Sequence, residues 1–351
     1  MATSTNPPTR TGTQHQEEAT FRNYDSSAAV KYAQYRFGWS EAFIQDNVIK
    51  PHISAGGELN VLVDIGCGPG NSTRCLAPHF QAVLGVDPSP AMVEAARAIP
   101  AAVAASTTAS GEPIRYEVGR AEELHALPAL VELWADKHGK ECVDVITAAT
   151  AAHWFDMAPF WASAAQILKP GGSLVLWGGG GFYVDPATTP NYAKVQRVLD
   201  DFENIVLAPF ATEGNILVRE IYAGLPLPWD CVGGGEGDAD PKLKELLGMF
   251  DKEKFERREF NKDGKVAPGE AFVKGWKADF DAIRMSMGTA SPVQRWREAY
   301  AEQVKSGEVE DLVDKLVRQV KELFDEVEEG KGRTWVDCGT SVGLLIVKKK
   351  K

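Results

Sequence analysis

A short apolar run that ends in a glycine-rich turn constrains the fold of this chain more than any other feature. The run extends from Val61 to Ile65, and the turn carries Gly66, Gly68 and Gly70 before a polar segment begins. A turn without side chains lets a ligand lie against the backbone, and open α/β sheets bind ligands at the carboxyl ends of their strands. The sequence therefore predicts an α/β fold with a ligand site at this turn.

Short apolar runs alternate with stretches of helical spacing along the first half of the chain. We predict strands at residues 61–65, 82–86, 114–118, 143–148 and 173–177. We predict helices at residues 71–79, 89–98, 121–138 and 156–168. Apolar strands that alternate with helices form parallel sheets covered on both faces. The predicted fold class is therefore α/β, with a doubly wound, mostly parallel sheet and helices on both faces.

The remainder of the chain lies outside this regular alternation. The pattern breaks at Gly178 to Gly181, and prolines and glycines punctuate the stretch that follows. Further predicted elements are strands at 255–260 and 342–347 and helices at 269–284 and 292–328. By segment, we predict a disordered tail (1–20), a helical lid (21–55), the ligand-binding core (56–180), a helical cap insertion (181–254) and a C-terminal unit that completes the sheet and the pocket (255–351).

Charge and composition argue against several classes of protein. The formal net charge is −11, from 38 Lys and Arg against 49 Asp and Glu, which disfavours a nucleic-acid partner. The five cysteines include no Cys-x-x-Cys pair, which argues against a zinc site and suits reduced thiols in the cytoplasm. No apolar run reaches the length of about 18 residues that a membrane span needs.

From these features we predict a cytoplasmic protein without membrane or nucleic-acid partners, either a monomer or a weak homodimer. The one basic run, Lys348 to Lys351, closes the chain. We predict that it is a solvated end without a targeting role.

Details of the glycine turn indicate which ligand it holds. Dinucleotide sites follow the pattern G-x-G-x-x-G, whereas here the glycines fall as G-x-G-x-G and Asn71 stands at the last expected glycine. Asp64 lies at the end of the first strand, where its carboxylate suits an ammonium and repels a pyrophosphate. Asp87 ends the second strand, where an acid can accept both ribose hydroxyls. S-adenosylmethionine has a nucleoside and an ammonium but no phosphate, so it fits these residues better than NAD does.

Five segments resemble the class I S-adenosylmethionine-dependent methyltransferases. They are DIGCGPG (64–70), GVDPSPAMVEAAR (85–97), VGRAEEL (118–124), DVITAATAAHWFD (144–156) and LKPGGSLVLWG (168–178). The resemblance implies a seven-stranded sheet of order 3-2-1-4-5-7-6 with an antiparallel last strand. It also implies S-adenosylmethionine as the methyl donor.

Within that superfamily, three further features resemble the trans-aconitate methyltransferase group. They are AHWFD at 152–156, the pair Tyr32 and Arg36, and the segment from Val273 to Trp276. The sequence departs from the group at Phe37, where proline is usual, at Gly275, where threonine is common, and throughout the cap. The resemblance therefore implies an activity and does not identify the acceptor.

The family pattern implies a set of cofactor contacts. From the methionyl end to the adenine they are Tyr32, Arg36, Asp64, Gly66, Gly68, Gly70, Asp87, Met92, Ala121 and Glu122. Asp64 and the glycine backbone would hold the methionyl end, and Asp87 the ribose. Arg36 would pair with the cofactor carboxylate, as a bidentate guanidinium can. Because Arg36 precedes the first strand, we predict that the N-terminal segment closes over the cofactor as a lid.

Acceptor contacts are expected after the fourth strand, where the methyl donor should meet its acceptor. His153 and Trp154 follow that strand, and Trp276 is a further candidate. Arg219 and Arg284 rank below these three. His153 could act as a catalytic base toward a hydroxyl. We favour the alternative that it forms part of the pocket wall, because a carboxylate acceptor needs no base.

The predicted function is metal-independent methyl transfer from S-adenosylmethionine to a small molecule. We favour an oxygen acceptor, a carboxylate or hydroxyl of an organic acid or secondary metabolite, over nitrogen. Two alternatives stay open at this stage. A methyltransferase fold without turnover would bind the cofactor as a binding or regulatory module, and an NAD-dependent oxidoreductase would bind a nicotinamide.

Overall fold

The framework of the molecule is one mixed β-sheet. The computed structural model describes residues 38–99, 107–130, 141–232 and 240–351. Across those ranges the sheet has eight strands. In chain order they are β1 (Val61–Ile65), β2 (Ala82–Asp87), β3 (Arg115–Val118), β4 (Val143–Ala149), β5 (Leu168–Val184), β6 (Phe250–Phe260), β7 (Lys274–Asp279) and β8 (Trp335–Lys349). The predicted tail and the N-terminal residues Tyr32 and Arg36 lie outside the described residues.

The order of the strands places a crevice beside β1. The strands follow β3-β2-β1-β4-β5-β8-β6, and β7 also pairs with β8. The first five strands are parallel, whereas β8 runs antiparallel to β5, β6 and β7. Strand order reverses between β1 and β4, so their carboxyl ends border the crevice in which such folds bind ligands. The predicted doubly wound α/β fold is confirmed.

The sheet has one strand more than the seven predicted. β7 lies inside residues 269–284, where the pattern predicted a helix, and the helix begins only at Phe280. The extra strand forms because β8 is longer than expected. β6 pairs with β8 from Val342 onward, and β7 pairs with the preceding part, from Trp335 to Thr340. Local periodicity carries no information about this distant partner.

Strand β5 continues well beyond Trp177, where the sequence predicted its end. The glycines from Gly178 to Gly180 stay paired with β8. They are glycines because another part of the chain lies directly against the strand. A Cβ on Gly180 would come 2.3 Å from the Val218 carbonyl oxygen, a contact that no side chain could tolerate without displacement.

Helices cover the sheet. They are α1 (Glu41–Ile44), α2 (Lys50–Ser54), α3 (Asn71–Leu76), α4 (Pro90–Ala98), α5 (Met157–Ile167), α6 (Tyr192–Asp201), α7 (Glu213–Arg219), α8 (Pro241–Leu247), α9 (Phe280–Gly288), α10 (Ser291–Ala299), α11 (Ala301–Ser306) and α12 (Leu312–Asp325). A π-helical turn, Gln45–Ile49, joins α1 to α2, and another, Phe202–Val206, follows α6. Nowhere in the described ranges is a helix both long enough and apolar enough to cross a membrane.

Two predicted helices are corrected. The stretch 292–328 forms α10, α11 and α12, because Gly307 ends α11 in a left-handed conformation and the Asp311 side chain caps the start of α12. The stretch predicted at 121–138 begins as a 3-10 helix, Ala121–Ala126, and continues as one turn, Pro128–Leu130. Residues 131–140 lie outside the described residues.

Alternate residues of the central strands face the two helical layers. Leu62 packs with Phe43 and Val48 from the N-terminal helical segment. Its neighbour Val63 faces the other side, in a cluster with Phe160 of α5. Successive strand side chains point to opposite faces, so this double coverage explains the continuous apolar runs in the sequence.

The C-terminal lysines are not a solvated end, and that prediction was wrong for two of them. Lys348 and Lys349 are each only 5% exposed. The Lys348 ammonium donates a 2.6 Å hydrogen bond to the Ser173 hydroxyl, and that of Lys349 donates to Glu141 at 2.6 Å. The reason is that β8 runs to Lys349, so both side chains are drawn into the sheet.

Candidate active site

One cavity of about 440 Å³ opens at the carboxyl ends of the parallel strands. It brings together most of the residues that the sequence predicted for the site. Those that line it are Gly66, Gly68, Asp87, Met92, Ala121, Glu122, His153, Trp154 and Trp276. Asp64 and Gly70 do not line it.

The glycine turn forms the floor of the cavity. Gly66 and Gly68 both adopt left-handed backbone conformations, with φ angles of 62° and 53°. A Cβ on Gly66 would lie 2.4 Å from the Ala151 side chain, so this position cannot accept a larger residue. A Cβ on Gly68 would meet nothing within 4 Å, so the space above it is open for a ligand.

Asp87 connects the end of β2 to the glycine turn. Its Oδ2 accepts a 2.8 Å hydrogen bond from the Gly68 amide, and its Oδ1 accepts one of 2.9 Å from the Ser89 amide. Each carboxylate oxygen therefore accepts a hydrogen bond from a different loop, and together they hold the side chain at the cavity wall. This is the position in which the sequence predicted a partner for the ribose hydroxyls.

Asp64 lies behind the turn. Its side chain is 1% exposed, and its carboxylate accepts hydrogen bonds from the Thr73 hydroxyl at 2.6 Å and the Thr147 hydroxyl at 2.7 Å. Burial raises the pKa of this carboxyl to about 6. These contacts tie β1 to β4 and α3. A direct contact between Asp64 and the ammonium of a ligand stays a prediction.

The segment that follows β3 forms another part of the cavity wall, on the side of the glycine turn. Ala121 is buried there, and the Glu122 carboxylate accepts a 3.0 Å hydrogen bond from the Asp156 amide. Glu122 also pairs with Arg120 at 3.4 Å. Met92, in the first turn of α4, adds an apolar surface that is 3% exposed. The arrangement suits a flat apolar ring with polar edges.

His153 and Trp154 line the cavity from a 3-10 turn that follows β4. The His153 side chain is 8% exposed, and its Nδ1 lies 3.0 Å from the Tyr222 hydroxyl oxygen. Trp154 lies under Gly214 of α7, where a Cβ would come 2.5 Å from the indole ring. Helix α7 is therefore in direct contact with the turn that carries the histidine.

The cavity is also lined by residues of β5, α7 and β7 and of the segments that follow α6 and α9. We call this part of the cavity the acceptor half. Trp276 on β7 contributes to it, and its ring centroid is 6.1 Å from that of Phe182. Arg219 and Glu203 also line the cavity. Burial raises the pKa of the Glu203 carboxyl to about 7, although the nearby Arg219 acts in the opposite direction.

Sequence reasoning assigned no role to Glu203 and ranked Arg219 among the weaker candidates. The other arginine considered there, Arg284, is not in the cavity. It pairs with Asp281 at 2.6 Å and with Asp314 at 2.5 Å. The signal that could have located the acceptor half is the glycine run after Trp177, because glycines in a strand indicate an element packed closely over it.

The N-terminal segment reaches the same cavity. Trp39 lines it and packs against Phe43, with ring centroids 4.4 Å apart, and against Trp177 at 6.0 Å. The Lys274 ammonium lies 4.7 Å from the centroid of the Trp39 ring. Tyr32 and Arg36, predicted to contact the cofactor, precede the described residues.

No group of three or more His, Cys, Asp or Glu side chains in the described ranges is arranged to hold a metal ion. The prediction of a metal-independent reaction stays a prediction.

An open parallel sheet with a glycine turn after its first strand and an acid at the end of its second defines a nucleoside-binding α/β protein. A family model described as "Methyltransferase domain" matches residues 63–176. A Dictyostelium discoideum protein named as a methyltransferase is 31% identical over 248 residues, which span 63% of this chain and 83% of that protein. The chain therefore belongs to the class I methyltransferases, whose methyl donor is S-adenosylmethionine.

Two further likenesses have a narrower meaning. A trans-aconitate 2-methyltransferase of Methylobacterium radiotolerans is 58% identical over 38 residues, which span 10% of this chain and 15% of that enzyme. A solved structure of a type II methyltransferase from Anaeromyxobacter dehalogenans superimposes with a TM-score of 0.55 at 21% identity, over 90% of this chain and 97% of that one. The first is a similarity of short motifs, and the second is a similarity of fold.

The residues at the turn fit S-adenosylmethionine. The space above Gly68 is open, and Asp87 at the cavity wall would hold the ribose hydroxyls of the bound cofactor. Met92 and Ala121 would contact the adenine ring, with Glu122 at its edge.

Proposed function

We propose that the enzyme transfers the methyl group of S-adenosylmethionine to an oxygen of a small organic acid or a secondary metabolite. The acceptor half of the cavity supports this proposal. Its apolar wall residues are Phe182, Phe202, Leu207, Val218, Trp276, Met287 and Val293. The whole cavity, which includes the cofactor side, has a volume of about 440 Å³, within the range of small-molecule sites.

Arg219 is the observation that carries the choice of acceptor. Arg219 lines the acceptor half, and its Nη1 donates a long hydrogen bond of 3.5 Å to the Glu203 carbonyl oxygen. A guanidinium among apolar walls favours an anionic ligand group. Burial raises the pKa of the nearby Glu203 carboxyl to about 7, which disfavours the ionised form that would neutralise Arg219. An acid is therefore a better ligand here than an amine, which Arg219 would repel.

S-adenosylmethionine, when bound, supplies a methyl group attached to a positively charged sulfur. The residues of this chain contribute binding, orientation and exclusion of water. Arg219 orients the acceptor, and the aromatic side chains of Phe182 and Trp276 keep the acceptor half dry. Proximity and desolvation of this kind can supply much of the acceleration of a methyl transfer.

A direct test is incubation with isotopically labelled S-adenosylmethionine and a metabolite extract, followed by mass spectrometry of the products. We expect label in a small acid, as its ester or its ether. Label in an amine would contradict the choice of oxygen. Tight cofactor binding without any labelled product would favour the alternative of a binding module.

A matched pair of arginine variants tests the anchor. We expect Arg219→Met to raise the KM for the acceptor about 10- to 100-fold, the scale for loss of a charged hydrogen bond, with little change in cofactor affinity. Arg284→Met removes an arginine outside the cavity and should leave both values unchanged. Equal effects of the two substitutions would contradict a role for Arg219 in acceptor binding.

The same proposal places the enzyme in the cytoplasm, as a monomer or weak homodimer with no nucleic-acid partner. Its five cysteines are free thiols, which suits a reducing compartment. The net charge of −11 disfavours binding to a polyanion. Light scattering and subcellular fractionation would check these expectations.

A further inference from the structure

A strained turn follows α7 beside the cavity. Ile221 and Tyr222 both adopt left-handed backbone conformations, with φ angles of 48° and 62°. Bulky and β-branched residues rarely do so, and such strain persists only where the surroundings enforce it. Strained residues of this kind cluster at functional sites, so the contacts that enforce this turn are informative.

Three residues of the sheet hold the turn in place. The Arg257 guanidinium donates to the carbonyl oxygens of Ile221 at 2.8 Å and Tyr222 at 3.0 Å. Gly178 and Gly343, paired across β5 and β8, leave room for it. A Cβ on Gly343 would lie 2.1 Å from the Ile221 oxygen, and one on Gly178 would lie 2.7 Å from the Tyr222 hydroxyl.

The turn directs the Tyr222 phenol at His153. Tyr222 is 1% exposed, and its hydroxyl oxygen lies 3.0 Å from His153 Nδ1. Burial raises the pKa of this phenol far above its usual range, so the hydroxyl keeps its hydrogen. The backbone N–H groups of His153 and Ala152 also donate to the phenol oxygen, so the hydroxyl hydrogen is directed elsewhere.

A buried hydroxyl has to donate its hydrogen to an acceptor, because an unmade buried hydrogen bond is costly. Among the residues that the structure describes, His153 Nδ1 is the one side-chain acceptor within hydrogen-bond distance of the Tyr222 hydroxyl. When Nδ1 accepts, a neutral imidazole carries its hydrogen on Nε2. We infer that Tyr222 is a positioning residue that holds His153 in the Nε2–H tautomer, so that His153 donates a hydrogen bond to the methyl acceptor and removes no proton from it.

This inference rests on the proposed function and narrows it to an acceptor that arrives ionised, a carboxylate. One carboxylate oxygen forms the bond to the methyl carbon, while the carbon–sulfur bond breaks and its electron pair stays on sulfur. The ester and thioether products are neutral, and no proton is released. The second carboxylate oxygen can accept the hydrogen from His153 Nε2. A hydroxyl or ammonium acceptor would have to lose a proton, which the Nε2–H tautomer cannot take.

Nitrogen NMR of the full-length protein with ¹⁵N-labelled histidine tests the tautomer without any assay of activity. The chain has six histidines, and the His153 signals are identified by their loss in His153→Gln. We expect His153 in the parent protein to show its hydrogen on Nε2 and an unprotonated Nδ1 at neutral pH. In Tyr222→Phe, which removes only the hydroxyl, we expect the Nδ1–H form to become populated. An Nδ1–H tautomer or an imidazolium in the parent protein would overturn the inference.

Kinetics of three variants separate a donor from a base. Glutamine can place an N–H near the position of Nε2 but has no basicity, so a donor role predicts that His153→Gln stays within about tenfold of the parent in kcat, whereas His153→Ala loses about 100-fold. Tyr222→Phe should lower kcat/KM about tenfold with cofactor affinity unchanged. If glutamine were no better than alanine, a donor role for His153 would be wrong.

Failure of this inference is distinguishable from failure of the proposed function. The NMR result concerns the tautomer alone and holds whatever the acceptor is. If the extract experiment labelled a hydroxyl, the inference of an ionised acceptor would be wrong, but the proposal of methyl transfer to oxygen would stand. Labelling of an amine would overturn both the proposed function and the ionised acceptor.

Discussion

Asp64 and Asp87 end neighbouring parallel strands, yet their carboxylates have different partners. Asp64 is enclosed by two threonine hydroxyls behind the turn. Asp87 accepts hydrogen bonds from two backbone amides and lines the cavity. We therefore expect Asp87 to contribute directly to cofactor binding, and Asp64 to act mainly by holding the turn to β4 and α3.

At Asp87 we expect the substitution Asp87→Ala to weaken binding of S-adenosylmethionine by about 1.5 to 3 kcal/mol, the scale for polar groups left without a charged partner. Calorimetric titration measures this change. Asp87 also accepts hydrogen bonds from the Gly68 and Ser89 amides, so the substitution could disturb the two loops. Circular dichroism therefore has to show that the variant is folded. A variant that binds as tightly as the parent would mean that the ribose lies elsewhere.

At Asp64 we expect an effect on stability as a function of pH. The carboxyl pKa is raised from 3.8 to about 6 in the folded protein, so the folded chain retains this proton to higher pH than the unfolded chain. The free energy of unfolding should therefore fall as pH rises between these values, by on the order of 2 to 3 kcal/mol, and stay lower above them.

Asp64→Asn should remove this dependence, because an amide can hydrogen-bond to Thr73 and Thr147 without ionising. Urea unfolding of the parent and the variant at pH values from 4 to 8 would measure it. Parallel pH profiles for the two proteins would show that Asp64 is not the group responsible.

At the scale of elements, the glycine segment of β5 and helix α7 depend on each other. Gly178 to Gly180 remain in the strand, and the backbone of α7 lies directly against Gly180. The same helix contacts the His153 turn through Gly214 and presents Arg219 to the acceptor half. The absence of side chains on one strand therefore decides where Arg219 and the His153 turn lie.

Gly180→Ala tests this dependence. Its Cβ would meet the Val218 oxygen at 2.3 Å, so we expect a loss of about 1 to 3 kcal/mol in the free energy of unfolding and a raised KM for the acceptor, because α7 must move. Gly224→Ala is the control, since a Cβ there lies 3.5 Å from the nearest atom, on Leu217. If the two variants behaved alike, close packing of α7 on β5 would not be what positions Arg219.

At the scale of the whole molecule, the cavity is assembled from distant parts of the chain. The glycine turn after β1, the His153 turn after β4, helix α7 and strand β7 each form one wall. Trp39, from before the first strand, also lines it. One cavity residue therefore comes from before the sheet, and closure of the N-terminal segment over the bound cofactor stays a prediction.

We expect hydrogen exchange of residues 21–50 to slow markedly when S-adenosylhomocysteine is bound, because a lid is ordered by the ligand it covers. Deletion of residues 1–18 should leave activity nearly unchanged. Deletion of residues 1–40, which removes Trp39, should abolish activity without unfolding the sheet. Equal exchange in both states, or full activity of the longer deletion, would refute the lid.

The sequence predicted the residues of the cofactor half of the site better than those of the acceptor half. The cofactor half depends on strand ends and turns that are local in the chain, so Gly66, Gly68 and Asp87 were predicted from their neighbours and line the cavity. The acceptor half depends on contacts between elements far apart in sequence. Glu203 was missed and Arg284 was overvalued, because an arginine or a glutamate on a helix carries no local mark of the face that a distant strand will cover.

By itself, the sequence determined the fold class and the place of the glycine turn, because alternating apolar runs and glycine spacing act over a few residues. The order of the central strands came from the resemblance to a known family. Only the tertiary structure decided that β5 continues through its glycines, that β7 pairs with β8, that Lys348 and Lys349 are buried, and that Tyr222 meets His153. Each of these follows from pairing or packing between segments that are distant in the chain, and the energy of such contacts depends on positions that local patterns do not encode.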